Sequence, residues 1–148
     1  MTVIYKYQRL ITPGPDGTTL YFRNADDEPR AIELGELDGW HYVSVPPDAA
    51  LPEQPEEIGW QPVTVDAETR LRLMAVSRPL QLIAQAIVER IRERYPLDEE
   101  LYLNRIATGV ANGLYAYRDG EEAEVIAFGV WAEECREWGR VQRAALIA

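Results

Sequence analysis

Among its 148 residues the chain has a single cysteine, a single histidine and no apolar run of 18 residues. Each scarcity excludes something. One thiol cannot close an internal disulfide, which fits a reducing compartment and a cytoplasmic protein. One imidazole and one thiol fall short of the clustered ligands that a structural zinc site needs. Without a long apolar run there is no candidate membrane span. The opening MTVIYKYQRL has no apolar stretch behind a basic flank, so no signal peptide is expected. Also missing are the phosphate-cradling G-x-x-x-x-G-K-[ST], a strand-linked G-x-G-x-x-G, the nucleophile elbow G-x-S-x-G and paired CxxC units. The expectation is a protein that is not an enzyme and needs neither cofactor nor metal.

What the chain does have is bulk and acid. With 47% hydrophobic and 27% charged residues it can fold, so wholesale disorder is not expected. A formal charge of −10 argues against nonspecific binding to nucleic acid, whose phosphates demand Lys and Arg. The charge is uneven: residues 1–65 carry 4 basic and 11 acidic groups, against 11 and 14 in the remainder. Solubility is the plain reason for such a balance. The alternative is an acidic imitation of DNA that inhibits a nuclease or another nucleic-acid-binding protein.

The N-terminal region, 1–45, reads as an antiparallel meander. Residues 2–11 alternate, with Val3, Tyr5 and Tyr7 on one side and Ile4, Lys6 and Gln8 on the other. Turn chemistry at 12–17 and a returning strand at 18–22 follow, then a loop at 24–29. Strands at 31–37 and 40–45 flank Asp38-Gly39, a strong hairpin signal. Half of the ten prolines then fall between Pro46 and Pro62, within an acidic connector spanning 46–65. Such a segment could reach roughly 50 Å at ~3.1 Å per residue, or lie on the sheet with Trp60 as its anchor.

Residues 66–148 read as four helices, giving an α+β fold. Asp66 caps a helix over 67–76, with Leu71 and Met74 or Ala75 facing inward. Ser77-Arg78-Pro79 restarts the chain, and Leu80, Ile83, Ala84, Ile87, Ile91 and Tyr95 hold a helical stripe that Pro96 closes. A third helix begins at Asp98-Glu99-Glu100 and carries Leu101, Ile106, Val110, Leu114 and Tyr117. The last begins at Glu121. The last three are expected to pack as an up-down bundle. Acid at each helix start and arginine toward each end suit the helix dipole, and explain most charges without chemistry.

Few residues invite a catalytic reading. His41, between Trp40 and Tyr42, is expected to be a strand residue with one wet face; as a base it would need a carboxylate partner. Cys135 is expected in the core, since a reactive thiol wants exposure and a positive neighbour. Asp26-Asp27-Glu28, Glu56-Glu57 and Asp98-Glu99-Glu100 lack the spacing of a calcium loop. Gly109 and Gly113, each costing about 1 kcal/mol in a helix, imply close approach of another helix, such as the one bearing Gly129 and Gly139, or of a ligand.

Aromatic residues point to another role. Tyr5, Tyr7, Tyr21, Trp40 and Trp60 crowd the small sheet and its connector. Trp131, Cys135, Trp138 and Gln142 recur at helical spacing, with Val141 and Ala145 beside them. Aromatics are enriched where proteins meet, so Tyr5, Tyr7, Tyr21, Trp40, Trp60, Trp131 and Trp138 are the candidate partner-binding residues. The segment Trp131-Ala132-Glu133-Glu134-Cys135-Arg136-Glu137-Trp138-Gly139-Arg140, with the layout before it, resembles small accessory proteins of bacteriophage and prophage tail modules, of the tail-fibre assembly or tail assembly chaperone type. The resemblance implies a non-enzymatic protein of the host cytoplasm that holds a tail or fibre component, and association into a homo-oligomer through the last helix or a sheet edge is a further expectation. It implies no membrane or nucleic-acid partner and carries over no functional residue.

Overall fold

The structure is a computed structural model that describes residues 1–10, 30–49, 51 and 53–147. The expected strand at 18–22, the loops at 12–17 and 24–29, and Tyr21 lie outside the described residues. The fold is α+β. Strands β1 (Val3–Tyr7), β2 (Ile32–Leu37), β3 (Trp40–Val45) and β4 (Gln61–Val63) are followed by helices α1 (Ala67–Val76), α2 (Arg78–Arg94), α3 (Leu97–Ala111) and α4 (Glu121–Leu146). The chain divides into two compact units, residues 1–82 with 143–148, and residues 83–142.

In the first unit the hairpin forms where Asp38-Gly39 predicts it, with φ of 53° and 79° at the two central residues, as a type I′ turn requires. The strand order is β2-β3-β1-β4, with every pairing antiparallel. This differs from an uninterrupted meander over 2–45. Among the described residues the fourth strand comes from the proline-rich segment and lies along β1, with Pro62 opposite Tyr5. Proline has no N–H to give, and an edge strand is where a sheet tolerates that.

The connector is therefore part of the sheet. A 3-10 turn at Glu56–Ile58 and a left-handed Gly59 bring Trp60 back over β1. The Gln8 amide donates to the Ile58 carbonyl at 2.8 Å. Ile58 is buried with Tyr7, Val43 and Val45, and Leu51 and Ala49 pack alongside. Apolar residues spaced through 49–60 make collapse onto the sheet more favourable than an extended arm.

Helix α1 packs on β2, where the register shifts between Glu33 and Gly35. A Cβ at Gly35 would stand 3.1 Å from the Val76 side chain. Asp66 caps the helix, accepting from the Thr69 amide at 2.7 Å. The inward residue is Leu73, whereas Leu71, Met74 and Ala75 are exposed. Leu73, Ser77 and Leu80 are all buried at spacings of four and three. The stripe thus runs through the junction, and its phase is set by both helices together. Ser77 serves each of them: its amide donates to the Leu73 carbonyl, and its own carbonyl accepts from Gln81. At the other end of the chain, Thr2 Oγ1 donates to the Ala145 carbonyl at 3.0 Å.

The second unit has one core, built from Ile87 and Ile91 of α2, Tyr95, Leu103 of α3, and Phe128, Ala132 and Cys135 of α4. Partners descend along α4 as they ascend along α2: Ile87 meets Gly139, Arg90 meets Trp138, Arg94 meets Trp131 and Tyr95 meets Phe128. Helices α2 and α4 are therefore antiparallel. The Tyr95 and Phe128 rings meet edge-on at 5.2 Å.

Helix α3 stops earlier than the apolar pattern predicts. Leu114 and Tyr117 were expected inside it, yet the chain leaves the helix after Ala111, and Leu114 is 74% exposed. Gly113 adopts φ of 68°; its amide bonds to the Val110 carbonyl and that of Leu114 to the Gly109 carbonyl. That pair of bonds is a Schellman cap, which asks for glycine in the left-handed region at this place. Among the described residues no helix is long and apolar enough to cross a membrane.

Candidate functional site

The aromatic residues of the sheet are mostly engaged with one another. Trp60 lies flat on Tyr5, centroids 4.6 Å apart and planes 9° from parallel, and tilts against Tyr7 at 6.2 Å. Tyr7 is buried, and burial, then the nearby Glu33 carboxylate, raises its pKa above the ordinary phenol value. Trp40 is half-buried on the opposite face, with the Lys6 ammonium 4.5 Å from its ring centroid. Two chain segments, β1 and the connector, thus converge on one aromatic cluster of Tyr5, Tyr7 and Trp60.

His41 departs from the expectation of a wet face: it is 6% exposed. Strand β3 is paired on both edges, and the imidazole stacks on the Tyr7 ring at 5.1 Å. Its Nδ1 lies 2.9 Å from a Glu33 oxygen and its Nε2 is 3.5 Å from Glu36. Arg9 approaches Glu33 at 3.7 Å. The carboxylate partner that sequence could not assign is supplied by β2. Since the two carboxylates address different ring nitrogens, they do not converge on a common point.

On α4 the buried line is Phe128, Ala132, Cys135 and Gly139, with Trp131 and Trp138 half-buried beside it. Val141 and Ala145, expected near that seam, are exposed. The large partner that two indoles demand comes from α2 of the same chain. Arg90 stacks on Trp138 at 4.8 Å and Arg94 on Trp131 at 5.4 Å, and the Trp131 Nε1–H donates to the Arg90 carbonyl at 3.2 Å. Arginines that suited the helix dipole by sequence also cover the tryptophans.

At Gly109 the close approach comes from the chain's own Tyr115, and at Gly113 nothing lies within 4 Å of where a Cβ would stand. The Tyr115 ring lies on Gly109 so closely that a Cβ there would run into it, and the Tyr115 hydroxyl donates to the Arg105 carbonyl at 3.1 Å. Beside it opens a cleft of about 470 Å³ lined by Tyr102, Arg105, Ile106, Tyr115, Ala116, Arg118 and Glu121. The Tyr102 hydroxyl donates to Glu121 at 3.0 Å, and the Arg118 amide donates to the other Glu121 oxygen at 2.8 Å. The Arg118 amide, then the Tyr102 hydroxyl, hold the Glu121 carboxyl below its ordinary pKa; Glu121 in turn raises that of Tyr102.

The face of α4 turned away from the core carries Ala123, Ile126, Ala127 and Val130, with Ile126 59% and Val130 55% exposed. Farther along, acid and base are interleaved: Arg140 pairs with Glu133 and Glu137, and Arg136 approaches Glu133. Carboxylates so paired do not form an unbroken phosphate-like row. Comparison with protein-family models, with curated proteins and with solved structures returns no match.

Proposed function

We propose that the protein is a non-enzymatic interaction protein, an accessory factor of the tail-fibre assembly or tail assembly chaperone kind that its layout resembles. It acts in the host cytoplasm and binds a fibre or tail component through α4. The supporting observation is the apolar stripe of Ala123, Ile126, Ala127 and Val130 along one face of α4, more than half exposed at its two largest members. Neighbouring exposed apolar residues on one helix face are one mark of a contact surface. Of the seven candidate partner-binding aromatics, Tyr5, Tyr7, Trp60, Trp131 and Trp138 pack within their own units, Trp40 carries the Lys6 ammonium on its ring, and Tyr21 lies outside the described residues.

The test is co-expression with the proteins of neighbouring genes, tail or fibre components among them. Co-purification that is lost in Ile126→Glu and Val130→Glu, with the helical circular dichroism unchanged, is the expected result. A strict monomer by light scattering that leaves the fibre protein's solubility and assembly unaltered would count against the reading.

A further inference from the structure

The cleft beside α3 is built in a way that surface arginines ordinarily are not. Its two tyrosine hydroxyls are both spent on the protein, one on Glu121 and one on the Arg105 carbonyl, so the rings stand as fixed walls. Glu121 is likewise saturated, taking the Tyr102 hydroxyl on one oxygen and the Arg118 amide on the other. What has no hydrogen-bonded or ion-paired partner is the positive charge, which meets Glu121 only through space and Tyr102 only through its ring. Among the described residues neither Arg105 nor Arg118 has a carboxylate within ion-pair distance, and the Arg105 guanidinium sits 5.6 Å over the Tyr102 ring. The concavity thus carries two arginines against one carboxylate that already accepts two hydrogen bonds, a local excess of positive charge.

We propose that this cleft binds a small organic oxyanion, a carboxylate or phosphate carried on a flat apolar body. The guanidiniums supply planar, forked donors that match either head group. Tyr102, Tyr115, Ile106 and Ala116 supply the apolar walls for the body. About 470 Å³ lies within the range of small-molecule sites. Gly109 is what makes the site: lacking a Cβ, it lets the Tyr115 ring lie against α3 instead of standing away from it. This reading does not depend on the apolar face of α4, and its test can fail while the assembly role stands.

The experiment uses the full chain, titrated with 4-hydroxybenzoate, phenyl phosphate and uncharged benzyl alcohol, and followed by calorimetry and amide chemical shifts. Saturable binding of an anion with Kd at or below about 1 mM, with shifts centred on residues 102–121, is expected; the tighter anion identifies the head group. Arg105→Gln and Arg118→Gln are each expected to weaken it about tenfold or more. Glu121→Gln is expected to strengthen it about two- to threefold, because a competing negative charge is removed. A residue with a purely structural role would not move affinity in that direction. No saturation below about 10 mM, or equal binding of benzyl alcohol, or arginine variants that bind like the parent, would each overturn the proposal. If Arg105→Gln loses the native spectrum, Arg105→Lys replaces it: weaker binding supports the site, and unchanged binding removes it.

Discussion

The two units use aromatic residues in opposite ways. In residues 83–142 the large side chains recur along helices, and each finds its partner by helical phase: Phe128 with Tyr95, Trp131 with Arg94, Trp138 with Arg90. In the sheet unit the cluster of Tyr5, Tyr7, Trp60 and His41 is gathered from three stretches far apart in sequence. The helical core therefore rests on many contacts between helices, spread along its length. The sheet's aromatic face depends on one returning segment that carries Trp60 and Ile58. Stability in the first case is distributed; in the second it is concentrated.

The sharpest way to break that contrast is Trp60→Ala. It removes a ring stacked at 4.6 Å on Tyr5 and uncovers Tyr7, and a loss of about 2–3 kcal/mol is expected for truncating a half-buried Trp. Urea unfolding measures it, and hydrogen exchange should show protection falling in β1 and β4 before it falls in α2 or α4. Uniform loss across both units would mean that the two do not divide stability as described.

A paired glycine test sharpens the helical side. At Gly139 an added methyl meets the buried Ile87 side chain, so Gly139→Ala should destabilise by about 1–2 kcal/mol despite alanine's better helix propensity. At Gly109 the obstacle is Tyr115, an exposed ring that gives way at the cost of its hydrogen bond to the Arg105 carbonyl and not of core packing. Gly109→Ala should therefore change stability by only about 0.5 kcal/mol in either direction, while it dismantles one wall of the cleft. Equal losses from the two substitutions, measured in the same denaturant series, would refute the distinction.

The smallest effect is expected from pH. Asp38 is held below its ordinary pKa by the Arg72 hydrogen bond at 2.8 Å, and Asp66 by the Thr69 amide. Glu121 is held low by the Arg118 amide. A depressed folded pKa contributes stability that is present above the ordinary carboxylate value, about 4, and is lost as pH falls through the lower folded values. Two of these carboxyls belong to the sheet unit and one to the helical unit. Thermal melts between about pH 6 and pH 3 should fall with acidification, and Asp66→Asn should flatten part of that slope.

Much of the local structure was legible from the residues alone. Asp66 as a cap, Asp38-Gly39 as a primed turn and the bounds of α1 all follow from interactions within a few residues of each other. The end of α3 was written locally as well, in Asn112-Gly113. It was missed because apolar periodicity through Leu114 and Tyr117 outweighed a glycine that reads equally well as a packing residue. The cleft left a weaker trace: Gly109 asked for a close neighbour, but nothing in the spacing named Tyr115, six residues on. His41 looked half-wet because a strand residue's cover depends on which strands pair beside it.

By itself, then, the sequence determined β1, β2, β3 and the four helices, and how most of those helices begin, because caps, turns and apolar periods act over one or two turns of chain. Only the tertiary structure decided that the proline-rich stretch would close the sheet's edge. Only it put Glu33 and Glu36 around His41, and arginines rather than a foreign surface over the two α4 tryptophans. Those outcomes depend on which buried surfaces meet, and burial is a property of the whole chain that no short window of residues contains.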